Sequence, residues 1–130
     1  MSKAKGSSAE RELLRQFWDN GWAALRVAGS GSTQLAAPDI IAGTKGRVLV
    51  IECKAVKAAQ KYFSQEDIDQ ITLFADRMGA EAWLGIRFDR KGWFFVTPDE
   101  LTQSGKMFRI SRDDAMKIGR RLDVLMSMPH

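Results

Sequence analysis

Apolar residues recur along the chain with two periods, one typical of helices and one typical of strands. The helical period predicts a first helix over about residues 8–20, which the C-cap glycine Gly21 ends. The same period predicts a second helix over 65–78, where Ser64 is a typical N-cap. A C-terminal helix is expected to begin after Ser111.

Short runs rich in Val, Ile, Leu and aromatic residues, bounded by turn residues, predict strands. Such runs occupy residues 22–27, 39–43, 47–56, 82–88, 93–96 and 107–110. The strands at 47–56 and 82–88 flank the second helix in a βαβ unit, so they should be parallel with a right-handed crossover. The strands at 39–43 and 47–56 should form an antiparallel hairpin. The predicted fold is therefore α/β, a mixed central β-sheet flanked by helices in the order α-β-β-β-α-β-β-β-α.

Length and composition indicate an ordinary globular domain. A chain of 130 residues fits one compact domain, expected over 1–130 with a flexible basic tail at 1–6. The chain is 45% hydrophobic and 28% charged, which is typical of globular proteins. No apolar run approaches the roughly 20 residues of a membrane span, and the start MSKAKGSS does not resemble a secretory signal. We therefore expect no membrane association.

The scarcity of cysteine and histidine disfavours several kinds of site. One cysteine cannot form an intramolecular disulfide and suits a reducing cytosol. Cys53 falls on the apolar face of its strand, which predicts a packed core thiol. The one histidine is the last residue, His130, which disfavours histidine-based triads and zinc sites. The net charge of +4 and a pI near 9.5 favour a polyanionic partner.

Two opposite charges interrupt the apolar strand at 47–56. Side chains of a strand alternate between faces, so Glu52 and Lys54 share one face, with Cα atoms roughly 6.5–7 Å apart. Taken alone, this pair is explained by an ion pair at the edge of the core that reaches solvent.

The neighbouring strand adds a second acid to the same face. If the hairpin turn is centred on residues 45–46, Asp39 lies directly opposite Glu52, with Cβ atoms roughly 4.5–5.5 Å apart. Two carboxylates so placed repel each other unless a cation lies between them. Mg²⁺ suits this position, because it binds one or two carboxylates together with water and phosphate.

The first helix carries an acid on its apolar side. Glu10 falls near the centre of the apolar arc formed by residues between 13 and 18, so its carboxylate should face the sheet. An alternative is a capping box, in which Ser7 and Glu10 bond the first turn of the helix. Asp39 also has an alternative, because an aspartate after Pro38 can be an ordinary turn residue.

The combination of Glu10, the pair Pro38-Asp39 and the motif Glu52-Cys53-Lys54 resembles the PD-(D/E)xK nuclease superfamily. The stretches SSAERELL, LRVAGSGS, PDIIA and LVIECK are similar to those of archaeal Holliday junction resolvases. The likeness runs in order through roughly the first 90 residues. It implies a restriction endonuclease-like fold.

The resemblance also implies an activity and a set of site residues. The activity is that of an endodeoxyribonuclease, dependent on Mg²⁺ (Mn²⁺ being an alternative), which resolves four-way Holliday junctions by paired symmetric nicks in homologous recombination and repair. By this resemblance Glu10, Asp39 and Glu52 would bind the metal. Lys54 would position water or stabilise charge in the transition state. Ser30 matches the active-site serine of the glycine-rich loop, although Ser32 is a nearby alternative.

The remaining expectations concern partners. The resemblance implies a homodimer, with no small-molecule cofactor, in the cytoplasm and associated with the nucleoid. DNA binding needs cations beyond the active site, and the candidates are Arg11, Arg26, Lys57 and Lys61. For each of them a solvated surface charge is the alternative interpretation. Two other functions stay open: a restriction- or repair-type nuclease acting on another DNA, and a non-catalytic DNA-binding module.

Overall fold

The structure, a computed structural model, describes residues 3–27 and 37–129. Within these ranges the helices are α1 (Lys3–Asp19), α2 (Gln65–Met78), α3 (Arg112–Ile118) and α4 (Leu122–Ser127). The strands there are β1 (Ala23–Arg26), β2 (Ile40–Thr44), β3 (Arg47–Val56), β4 (Gln60–Ser64), β5 (Glu81–Phe88), β6 (Gly92–Val96), β7 (Thr102–Ser104) and β8 (Met107–Ser111). A short 3-10 turn, Pro98–Glu100, separates β6 from β7.

The central sheet is mixed, with the strand order β1-β2-β3-β5-β6. β3 and β5 are parallel and are joined through β4 and α2, which confirms the parallel pairing predicted for the βαβ unit. The other neighbours in this sheet are antiparallel. The ends of α2 are those that the sequence predicts, because Ser64 caps its start and Gly79 ends it with a left-handed φ of 71°.

The β2–β3 hairpin has the register that the sequence predicts. Ile40 pairs with Ile51 and Thr44 with Arg47, on either side of a tight turn. The same register sets Asp39, immediately before β2, opposite Glu52 in β3. The position of two acids is thus fixed by the geometry of one hairpin.

Apolar side chains pack on both faces of the central sheet. On one face α1 supplies the fully buried residues Leu13 and Phe17, and α4 packs beside them. On the other face α2 and α3 supply Ile71 and Ala115. Because side chains alternate along β3, its apolar face lies toward α1 and the face that carries Glu52 lies toward α2.

A second sheet, antiparallel and three-stranded, has the order β4-β8-β7. The strand predicted at 107–110 lies in this sheet as β8, not in the central sheet. Its partners were not predicted, because β4 has one buried residue, Phe63, and β7 is exposed throughout. Without a buried face, such short strands carry no alternating pattern that a sequence can display.

The start of the first helix differs from the prediction. The sequence places it near Ser8, whereas α1 begins at Lys3. Residues 3–6 were expected to be flexible and are helical in the structure. Lysine and alanine are good helix formers, which favours this extension.

The C-terminal helix was predicted as one element and is divided into α3 and α4. Between them Arg120 leaves the helix and exchanges two backbone hydrogen bonds with Phe95 of β6, at 2.9 and 2.8 Å. A Cβ atom at Gly119 would collide with the carbonyl oxygen of Ala115, so the chain can turn here only at a glycine. No helix within the described ranges is long and apolar enough to cross a membrane.

Candidate active site

Backbone hydrogen bonds hold Asp39 at the entry of β2. Its N–H donates to the carbonyl of Ile51 at 3.0 Å, and its carbonyl accepts from the N–H of Val27 at 2.8 Å. The carboxylate oxygen Oδ2 accepts a further hydrogen bond from the N–H of Cys53 at 2.8 Å. Asp39 is therefore bonded to β3 through both its backbone and its side chain, and it is not an ordinary turn aspartate.

Glu52 and Lys54 form an ion pair on the face of β3 that lies toward α2. Lys54 Nζ is 3.3 Å from Glu52 Oε2, and the two side chains are 37% and 25% exposed respectively. Burial and the negative charge of Asp39 raise the pKa of Glu52 to about 7, although Lys54 acts in the opposite direction. Burial alone would lower the pKa of Lys54, but the charge and hydrogen bond of Glu52 raise it above its usual value. Lys54 is therefore a cation at neutral pH.

These three residues open into one pocket of about 230 Å³. Its lining residues are Ala37, Asp39, Glu52, Lys54, Asp67, Gln70 and Ile71. The sheet supplies the charged wall, and α2 supplies the opposite wall. The negative charge of Asp39 acts on Glu52 across this pocket, since it helps to raise the pKa of Glu52. The structure thus brings together the two strand acids and the lysine that the sequence predicts.

Glu10, the third acid that the resemblance implies, does not line this pocket. It is half-buried on α1, and its Oε1 accepts from Arg26 Nε at 2.8 Å. Among the described residues, no three His, Cys, Asp or Glu side chains are grouped closely enough to hold a metal ion. The capping box is also wrong, because α1 begins four residues before Ser7.

Comparison with known proteins identifies the family. The family model described as archaeal Holliday junction resolvase (Hjc) matches residues 1–128. The chain belongs to this resolvase family. It is 41% identical over 108 residues to the crossover junction endodeoxyribonuclease Hjc of Archaeoglobus fulgidus, covering 83% of this chain and 79% of the relative. The Hjc of Methanocaldococcus jannaschii is 39% identical over 106 residues, which cover 82% of this chain and 75% of the relative.

A solved structure of the same family has the same fold. The structure of the Archaeoglobus fulgidus Hjc, described as a Holliday junction resolvase, matches with a TM-score of 0.83 and 36% identity. The match covers 90% of this chain and 94% of that chain. The predicted resemblance and the restriction endonuclease-like fold are both confirmed.

The other site residues predicted for this resolvase occupy varied positions. Ser30 and the alternative Ser32 lie outside the described residues. Arg11 and Lys57 are exposed, and Arg26 pairs with Glu10. Lys61 is partly buried on β4, where burial and the positive charge of Lys54 lower its pKa. The roles of these four cations in DNA binding stay predictions.

Sequence reasoning missed the contribution of α2 to the resolvase pocket. Asp67 also belongs to the capping box at the start of α2, because its Oδ2 accepts from the N–H of Ser64 at 2.9 Å. Gln70 was not considered. Asp67, Gln70 and Ile71 follow the helical spacing of one face. That spacing is visible in the sequence, but the partner of the face is not.

The strand acids of the resolvase fit a divalent cation. Burial and the negative charge of Asp39 raise the pKa of Glu52, so two negative charges are disfavoured in this pocket. A cation between them would remove this penalty. Two carboxylates are a small ligand set, which suits a hard divalent cation that keeps several water molecules.

Proposed function

We propose that this protein is an endodeoxyribonuclease that cuts four-way DNA junctions by hydrolysing phosphodiester bonds on opposed strands. The observation that carries the proposal is the convergence of Asp39, Glu52 and Lys54 in one pocket. Family membership and relatives named as crossover junction endodeoxyribonucleases support the choice of substrate. In this proposal the whole chain forms one nuclease domain, which acts on cytoplasmic, nucleoid-associated DNA in recombination and repair.

The proposed roles follow from the chemistry of each side chain. Asp39 and Glu52 would hold Mg²⁺, or Mn²⁺ in its place, and no small-molecule cofactor is needed. Bound there, the metal would acidify water and offset negative charge on the phosphate. Glu10 is proposed as a third ligand, and its Oε1 is held on α1 by the ion pair with Arg26.

Lys54 is proposed as the cation that contacts the reacting phosphate. Phosphodiester hydrolysis adds negative charge to the phosphoryl oxygens in the transition state, and a fixed ammonium stabilises that charge. The ion pair with Glu52 keeps Lys54 protonated and aimed at the pocket. Ser30 is proposed to position the phosphate through its hydroxyl or a loop N–H. It is not proposed as a covalent nucleophile, since a serine needs an adjacent base for that role.

A homodimer is proposed because the described residues of one protomer form one such pocket and a four-way junction requires two cuts. A twofold axis relating the two pockets would match the symmetry of the junction. Contacts to the DNA arms are proposed for Arg11, Arg26, Lys57 and Lys61. Binding through these cations should weaken as the salt concentration rises, because phosphate contacts release counterions.

The test compares a synthetic four-way junction with a linear duplex of the same sequence, each incubated with protein and Mg²⁺. Paired nicks in the junction alone would support the proposal. Equal cutting of both DNAs would favour a restriction- or repair-type nuclease. Binding without cutting would favour a non-catalytic module. Asp39→Asn and Glu52→Gln serve as inactive controls, and both should still bind the junction.

A further inference from the structure

The pocket around Asp39 and Glu52 has a second wall that the proposed mechanism does not use. This wall is the face of α2 formed by Asp67, Gln70 and Ile71. Residues three and four apart lie on one side of a helix, so these side chains share a direction. The pocket that contains the two strand acids therefore lies between the sheet and this helix face.

The three residues of this face differ in what they can offer to DNA. Ile71 is buried and packs in the core. Asp67 is negative and is engaged with the N–H of Ser64. Gln70 is exposed, and its Nε2 donates to Glu66 Oε1 at 3.3 Å, a long bond between exposed groups. Such a bond contributes little, so the amide can exchange it for another acceptor.

We propose that Gln70 contacts the DNA strand being cut, with its amide N–H donating to a phosphate oxygen beside the reacting group. The inference rests on the proposed function and adds a substrate-contacting residue to it. A neutral donor suits this wall, because Asp67 already repels a phosphate there and a second carboxylate would add to that repulsion. Gln70 offers two N–H donors without altering the charge that holds Lys54 beside Glu52.

The same helix provides a matched control. A purely structural role for Gln70 would consist of its bond to Glu66 across one helix turn. Gln65 makes the equivalent bond, with Nε2 donating to Asp69 Oδ1 at 2.9 Å, and it does not line the pocket. Loss of either glutamine removes one such helix contact, but only one of the two changes the pocket.

The experiment measures the single-turnover rate of junction cutting at saturating protein with Mg²⁺, together with urea unfolding. The variants are Gln70→Ala, Gln70→Glu and Gln65→Ala in the full chain. We expect Gln70→Ala to cut about tenfold more slowly, as for a lost hydrogen bond to a charged group. Gln70→Glu should be slower still, because a second carboxylate on this wall adds to the repulsion of the phosphate. Glutamate and glutamine have similar helix propensities, so a change in α2 would not explain that result. Gln65→Ala should cut at the wild-type rate.

Equal rates for Gln70→Ala and Gln65→Ala would overturn the inference, and so would wild-type cutting by Gln70→Glu. Greater loss of stability in Gln70→Ala than in Gln65→Ala would indicate a structural role instead. Asp39→Asn, measured beside them, separates the two levels of failure. Active Asp39→Asn protein would defeat the proposed function. Inactive Asp39→Asn with fully active Gln70 variants would defeat only the role of Gln70.

Discussion

The carboxylate of Asp39 accepts a hydrogen bond from the backbone N–H of Cys53, with Oδ2 and N 2.8 Å apart. This bond ties the entry of β2 to the middle of β3, in the register that also sets Asp39 opposite Glu52. Asp39 therefore stabilises the hairpin as well as supplying charge to the pocket. The two roles depend on different properties of the side chain, so mutation can separate them.

Asp39→Asn should abolish junction cutting without lowering stability. The asparagine oxygen can still accept from Cys53, but the amide has no negative charge for a metal ion. Asp39→Ala should lose cutting too and, by leaving that N–H unpaired, lower the free energy of unfolding by about 1 kcal/mol. Cutting assays and urea denaturation check both, with the exposed Asp89→Asn as the control. Equal stability of the Asn and Ala variants would contradict the hairpin role.

The pKa of Glu52 is about 7 in the folded protein, against an ordinary value of 4.5. The metal-free protein should therefore become less stable as the pH rises between these two values. The folded protein holds this proton more tightly than the unfolded chain, so ionisation costs about 2–3 kcal/mol by the upper end of the window. Glu52→Gln cannot ionise. Its gain in stability over the wild type, measured by urea denaturation in EDTA, should be larger at pH 8 than at pH 5. The same gain at both pH values would argue against the raised pKa.

Mg²⁺ should stabilise the wild type more at pH 8 than at pH 6. The proton on Glu52 competes with the metal, and a ligand that binds only the folded state raises its stability. Thermal unfolding with excess Mg²⁺ or with EDTA measures the difference, expected to be a few degrees. Glu52→Gln should show a smaller shift that hardly depends on pH. A wild-type shift equal to that of the variant would exclude Glu52 as a metal ligand.

The part of the site that could be predicted from the sequence is the part set by local geometry. A hairpin with a short turn has one register, so the opposition of Asp39 and Glu52 follows from counting residues around residues 45–46. The ion pair of Glu52 and Lys54 follows from the alternation of one strand. Both were visible because each relationship lies within a single supersecondary unit.

The part that was missed depends on packing between distant segments. Arg26 lies 16 residues after Glu10, and the bond between them requires α1 to dock beside β1. The wall formed by Gln70 depends on how α2 lies across the sheet. A helical period shows that a face exists but not what it meets. For the same reason the inward direction of Glu10 was predicted while its partner was not.

Glu10 and Arg26 should have separable effects in spite of their ion pair. Glu10→Gln removes a proposed metal ligand, so junction cutting should fall by about 10- to 100-fold with little change in junction binding. Arg26→Met removes a proposed phosphate contact, so junction binding should weaken. The slope of log K against log salt concentration should also fall by about one. Titrations at several salt concentrations, run beside cutting assays, measure both. If each variant lost binding and cutting in the same proportion, Glu10 would serve only to hold Arg26.

Arg47 should be the cation on which the position of α4 depends. It is 5% exposed, and its guanidinium makes two bonds to Glu81, at 2.7 and 3.0 Å, and one to the carbonyl of Leu125 at 2.6 Å. Arg47→Met leaves Glu81 partly buried without this partner, so the free energy of unfolding should fall by about 3 kcal/mol. Arg47→Lys should recover only part of this free energy, because an ammonium cannot make the two parallel bonds that a planar guanidinium makes to Glu81.

Urea denaturation measures these losses, and the exposed Arg77→Met should change stability by less than about 0.5 kcal/mol. Hydrogen exchange then tests where the loss falls. Because Arg47 bonds to a carbonyl in α4, amides of that helix should exchange faster in Arg47→Met at denaturant concentrations where the central sheet stays protected. The Asp39 pocket lies beside the entry of β2 and the second half of β3, whereas Arg47 is the first residue of β3, so cutting at low temperature should persist in the folded fraction. Uniform acceleration across the sheet and α4 would show that Arg47 supports the whole core instead.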